Sequence, residues 1–229
     1  MEGLGRRERK RASTRSHVVS VAQALFWERG FEATTMEDIA RAADVAAQTV
    51  FNHVATKEEL FFTGRTPWAL MVGAPPCPQP GESWMAAVVR QLQEATLGYL
   101  GGLADPEYLD MAAQVQSVEA LNRYERALHT RMEADLAGHV DAAGVSSDSR
   151  LTAALLLATT RVHAHSHRRR VLAGTPLQES LEQVNRTLPY YLTQVMQVTS
   201  LPHPSADGQN PEGSSPLGHH RGSPAATTP

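Results

Sequence analysis

Along most of this chain, apolar residues recur at intervals of three and four, the spacing that lines up one face of an α-helix. Over residues 15–29, Val18, Ala22, Leu25 and Phe26 keep that interval with polar residues between them, and Gly30 follows as a stop signal. Thr35 is placed to cap a second helix, with Glu37 and Asp38 in its first turn and Ile39, Ala40 and Ala43 on its apolar side. A turn around Asp44 and Val45 leads into residues 46–54, where Val50 and Val54 face inward and Phe51 stands between core and rim. Thr56 and Glu59 then form the T-x-x-E capping box of a helix running through Leu60 and Phe61.

The proline-rich stretch "GAPPCPQPGE" cannot be helix interior and separates this head from a larger body. Beyond it, "SWMAAVVRQLQEATLGYL" reads as a helix broken near Gly101 and Gly102, and Asp105 with Pro106 marks a fresh start. A long amphipathic helix follows, with Leu121, Tyr124, Leu128, Met132 and Leu136 on one face. "LTAALLLATTRVHAH" is apolar almost all round through Thr159, which suits a central helix or one covered by another chain. The last patterned segment opens with Thr175 as cap and Pro176 at the first helical position, and Pro189 is expected to kink or interrupt it. The pattern predicts an all-α fold: a basic disordered arm over 1–14, a helix-turn-helix head over 15–65 and a helical regulatory and dimerisation domain over 66–198. The tail, 199–229, is expected to be disordered, because its composition has too few apolar anchors to bury.

Eight-residue helices do not stand alone in water, because nucleation fixes several dihedrals before many bonds form. The short pair must therefore pack on Leu25, Phe26 and Leu60, with small side chains at Ala40, Ala43, Val45 and Ala47 letting the axes approach. That geometry suits a second helix that enters the major groove of duplex DNA. Its outward face carries Gln48, Thr49, Asn52 and His53; Gln and Asn can each pair bidentately with adenine, and Thr can meet a thymine methyl.

Charge sharpens this picture. The chain of 229 residues is 41% apolar with a formal charge of −3, yet Arg6, Arg7, Arg9, Lys10, Arg11 and Arg15 cluster at one end against Glu2 and Glu8. Such an arm suits a polyanion partner, the alternative being a solubilising tail. Cys77 is the single cysteine, which excludes an internal disulfide. The basic start is not followed by an apolar run, and no window approaches the roughly 18 apolar residues of a membrane span, so a cytoplasmic protein without membrane partners is expected.

The stretch "ALFWERGFEATTMEDIARAADVAAQTVFNHVATKEELF" resembles the amino-terminal signature of the tetracycline-repressor (TetR) family. The resemblance implies a homodimeric transcriptional repressor that binds a palindromic operator in double-stranded DNA and leaves it when a small apolar or amphipathic effector binds the body. It places the DNA contacts at Thr35, Gln48, Thr49, Asn52, His53 and Lys57, with Thr35, His53 and Lys57 as phosphate partners; Arg11 and Arg15 of the arm join them. The family usually has Gly at Asp44, Ser or Thr at Ala46 and Phe at Val54, so Asp44 is expected to take over capping or the recognition helix to be less firmly held.

The body shows no catalytic constellation and implies no cofactor. Glu119, Glu125, Glu133 and Asp135 read as solvated charges. His163 and His167 could share a face, but no third ligand completes a metal site, and Arg168, Arg169 and Arg170 suit a helix carboxyl end. Candidate pocket residues are Trp84, Met85, Val88, Leu92, Met111, Leu121 and Tyr124, and the dimer face is expected on the last two long helices. The rival reading is a helical enzyme or small-molecule-binding protein with a non-functional head.

Overall fold

The computed structural model describes residues 2–65 and 74–200, with side chains from Gly5 onward. The expected tail from residue 201 lies outside them. Every regular element among the described residues is a helix. The head holds α1 (Glu2–Arg29), α2 (Met36–Ala42), α3 (Ala47–Phe51) and α4 (Lys57–Phe62). The body holds α5 (Trp84–Gly102), α6 (Pro106–Ser117), α7 (Glu119–Ala143), α8 (Ser149–Leu172) and α9 (Leu177–Thr199).

The basic arm is where the fold departs first from expectation: α1 starts at Glu2 and continues unbroken through it. Arg, Lys, Glu and Ala are good helix formers, and Val18, Ala22 and Phe26 already anchor the helix, so extending it carries no new nucleation cost. Gly30 ends α1 with φ 83°, a left-handed conformation that suits glycine, and its amide donates to the Phe26 carbonyl at 3.0 Å.

The head core gathers the expected Leu25, Phe26, Ile39, Val50, Val54 and Leu60, all buried. It also holds an aromatic cluster the pattern did not reveal. Phe61 lies 5.6 Å from both Phe26 and Phe31 and 5.3 Å from Phe62, ring centre to ring centre.

Head and body share this core. Met111 and Val115 of α6 and Leu121 of α7 pack into the head, and Tyr124 stacks on Phe62 at 5.5 Å. Polar ties reinforce the joint: Gln114 accepts from the Phe31 amide at 2.8 Å and donates to the Phe26 carbonyl at 3.1 Å, while Arg65, at the end of the head, pairs with Glu107 of α6.

In the body α5, α7, α8 and α9 enclose a second core built on Leu92, Leu100, Leu136, Leu156, Leu188 and Leu192. Asp105 caps α6 and Pro106 opens it, as expected, whereas Pro176 is the N-cap of α9 and Leu177 its first residue. Pro189 does not interrupt α9. A proline leaves the carbonyl four residues back without its helical donor; here that carbonyl belongs to Asn185, and Gln93 of α5 donates to it at 3.4 Å and to the Asn185 side chain at 2.8 Å.

Glu125 corrects the expectation of solvated charges on α7, and Arg168 that of a solvated basic helix end. Both are buried, and they face each other between α7 and α8. Arg168 donates to the two Glu125 oxygens at 2.8 and 3.3 Å and to the Tyr99 hydroxyl at 3.0 Å. His165 stands 3.5 Å from Glu125, and the rings of His129 and His165 meet edge to face. Burial alone would raise the Glu125 pKa, but the neighbouring His165 ring, the hydrogen bonds from Arg168 and the Arg168 charge bring it down to about 2. Burial likewise drives His129 down to about 4, keeping it neutral.

Candidate nucleic-acid interface

The turn between α2 and α3 sets the site. Ala40 and Ala43 are buried at the elbow, so the two short helices cross at close range. Val45 donates to the Ala40 carbonyl at 3.0 Å, and His17 of α1 contacts the Ala43 carbonyl at 3.2 Å through a ring nitrogen. Asp44 adopts φ 52°, the left-handed conformation that glycine takes freely and Asp tolerates better than most residues.

Asp44 does not cap α3. The N-cap is Ala46, which makes no side-chain hydrogen bond, so the five-residue α3 begins with its amides uncapped. Ala46→Ser is therefore expected to stabilise the head by about 1 kcal/mol. Thermal unfolding of the two proteins checks this, and an unchanged midpoint would count against the missing cap.

What holds α3 in place is its inner face and its carboxyl end. Val50 and Val54 are buried. Arg15 donates to the His53 carbonyl at 3.3 Å and pairs with Glu59 at 3.0 Å. Thr56 accepts from the Glu59 amide at 3.1 Å, and the Glu59 carboxylate accepts from the Ala55 amide at 2.9 Å, one residue before the position a capping box would use.

On the opposite face, Gln48 and Asn52 are exposed and Thr49 is half-buried beside them. Gln48 Nε2 donates to Asn52 Oδ1 at 3.2 Å. Exposed as it is, that bond can be exchanged for base edges at little net cost. Phe51, 48% exposed on this short helix, was not among the expected contacts. Phe is a side chain able to lie against a thymine methyl.

Several expected phosphate partners prove to be ties within the head. Lys57 Nζ donates to the Phe31 and Thr34 carbonyls at 2.8 and 2.9 Å and lies 4.1 Å from the centre of the Phe31 ring. Burial pushes its pKa below the ordinary lysine value. Thr35 spends its hydroxyl on the α2 cap, donating to Asp38 at 2.7 Å and accepting from the Asp38 amide at 3.1 Å. Arg15 is committed as described. His53 is half-buried and, with Arg11 and Asn52, lines a cleft of about 350 Å³ between α1 and α3.

The seven pocket candidates are not brought together. Met85, Val88 and Leu92 pack in the body core with Trp84 at its edge, whereas Met111, Leu121 and Tyr124 belong to the head core. Two further cavities lie elsewhere. One, of about 630 Å³, is lined by residues of α7 and α8 such as Thr130, Glu133, Asp141 and Arg150. The other, of about 480 Å³, is an apolar groove between α8 and α9 that includes Leu155, Val162, Tyr191 and Val198. Among the described residues no three His, Cys, Asp or Glu side chains stand where they could hold a metal, and no helix is long and apolar enough to cross a membrane.

A buttressed short helix with a polar outward face, next to a second short helix across a tight turn, has the arrangement of a helix-turn-helix. Residues 18–63 match the family model described as bacterial regulatory proteins, tetR family. The match is confined to the head. It is 44% identical over 61 residues to the HTH-type transcriptional regulator TcmR of Streptomyces glaucescens, a match covering 27% of each protein. Against the HTH-type transcriptional repressor KstR2 of Mycobacterium tuberculosis it is 42% identical over 48 residues, 21% of this chain and 24% of the relative. The match thus spans about a quarter of these relatives' length. In overall fold the chain is similar to a TetR-family regulator from Streptomyces coelicolor, with TM-score 0.51 and 20% identity over 79% of this chain and 94% of the other. Salmonella enterica GusR gives 0.50 and 22% over 81% and 96%.

Proposed function

We propose that this protein is a sequence-specific transcriptional repressor that binds a palindromic operator as a homodimer and is released by a small-molecule effector. One observation carries the DNA-binding part: the segment 47–54, which holds α3 and the turn after it, buries Val50 and Val54 while leaving Gln48 and Asn52 exposed. In this reading Gln48 and Asn52 read adenines, with Thr49 and Phe51 against thymine methyls. Lys57, Thr35 and Arg15 act indirectly, by holding α2 and α3 at a fixed angle.

The dimer reading is supported by α8 and α9. Val162, Tyr190 and Val198 are more than 60% exposed, beside the apolar groove, and pairing these helices with a second copy would cover them. The effector reading is supported by the joint: a shift of α6 or α7 pulls directly on the head through Gln114, Arg65 and Tyr124. The rival enzyme reading asks for charged groups converging on a ligand and for a buried α3 face. The Glu125 cluster is charged and buried, but its residues line none of the three cavities, and Gln48 and Asn52 are exposed.

Selecting preferred duplexes from a random pool tests the proposal. An inverted repeat is expected, and Gln48→Ala or Asn52→Ala should each lose about 1–3 kcal/mol of discrimination at one position of each half-site. A dimer that enriches no sequence would overturn the reading.

A further inference from the structure

The amino-terminal part of α1 lies before the family match, which starts at residue 18, and its packing differs from the rest of the helix. From Gly5 to His17 no residue of α1 is buried, a stretch of about 20 Å by the helical rise. Arg7, Arg11 and Thr14 follow the spacing that continues into Val18, Ala22 and Leu25, with Lys10 beside them. One face of α1 is thus apolar where it packs on the head and cationic where it passes the end of α3.

That cationic face closes on something. Arg7, Lys10, Arg11 and Thr14 form one wall of the cleft of about 350 Å³, and Asn52 and His53, just past the end of α3, form the other. The arrangement is unfavourable without an anion. Cations at a helix amino end oppose the dipole, and Arg7 repels Lys10 and Arg11 three and four positions on. Glu8 is the one acid among residues 5–17. Arg15, the next cation on α1, already pairs with Glu59.

We infer that this cleft is a seat for the duplex backbone: Arg7, Lys10 and Arg11, held on a rigid helix, take the phosphates that flank the bases read by Asn52. The inference rests on the DNA-binding reading of α3 and adds to it a clamp built from a segment outside the family match. Because the cations contact phosphate, they set affinity and its salt dependence and leave base preference alone.

The test compares two doubly substituted full-length proteins of equal charge, Arg7→Ala with Arg11→Ala and Arg6→Ala with Arg9→Ala, the second pair lying outside the cleft lining. Affinity for one duplex is measured across a salt series, with helix content checked by circular dichroism. The cleft variant should lose about 0.9 from the log–log salt slope for each phosphate contact removed, near 1.8 per bound protomer. The off-face variant should lose less than half as much, and both should keep the wild-type ratio between preferred and mismatched duplex. Equal slope losses, or a wild-type slope in the cleft variant, would overturn the seat. A loss of base preference only in Gln48→Ala or Asn52→Ala bears on the reading beneath it, and unselective wild-type binding would sink that reading while the slope comparison still judged the seat.

Discussion

Alanine in place of Arg168 is expected to destabilise the folded protein by about 3–5 kcal/mol, far more than the loss of a surface charge. Arg168 and Glu125 are 3% and 5% exposed, and the guanidinium meets both carboxylate oxygens. Removing it leaves a buried carboxylate with the His165 ring at 3.5 Å. The Tyr99 hydroxyl loses the same donor. Most of the cost is the desolvation of what stays behind, so the double replacement Glu125→Leu with Arg168→Met should be much milder than Arg168→Ala alone. Denaturant midpoints for the three proteins decide it. A single-variant loss below about 1 kcal/mol would mean the pair is solvated.

The second large effect is expected at Phe61→Ala, about 3–5 kcal/mol from lost burial and the cavity left behind. Phe61 is fully buried, and its ring touches Phe26, Phe31 and Phe62. Because Phe62 in turn stacks on Tyr124, the damage should spread to the joint between head and body. The head should melt first and duplex binding should fall with it, while the body core around Leu92, Leu156 and Leu188, which does not include Phe61, stays folded. A biphasic thermal melt with early loss of binding is the expected record. A single transition within a degree or two of wild type would contradict it.

These two sites mark where sequence reading succeeds and where it stops. Helices, caps and the exposed face of α3 are legible because they are local: Thr35, Thr56, Asp105 and Gly30 act within a few residues, and the period of Val50 and Val54 fixes which side points in. Arg168 and Glu125 are 43 positions apart, and each sits among other charges on its own helix, so nothing local distinguishes them from solvated residues. The ties of Lys57 within the head are hidden for the same reason, since its acceptors are 23 and 26 residues away. Pro189 breaks a local rule and survives through Gln93, 92 positions from Asn185. The basic arm failed differently. Its charges suggested disorder, while its helix propensity and the anchored half of α1 decided the outcome.

The central claim is that α3 turns Gln48 and Asn52 toward the bases of a duplex. The most direct measurement follows the side-chain amide resonances of these two residues as protein is titrated with its selected duplex and, separately, with a scrambled one. The account predicts large shifts for both amides with the selected duplex and small ones with the scrambled duplex. Unmoved amides in a protein that has bound the selected duplex would contradict it.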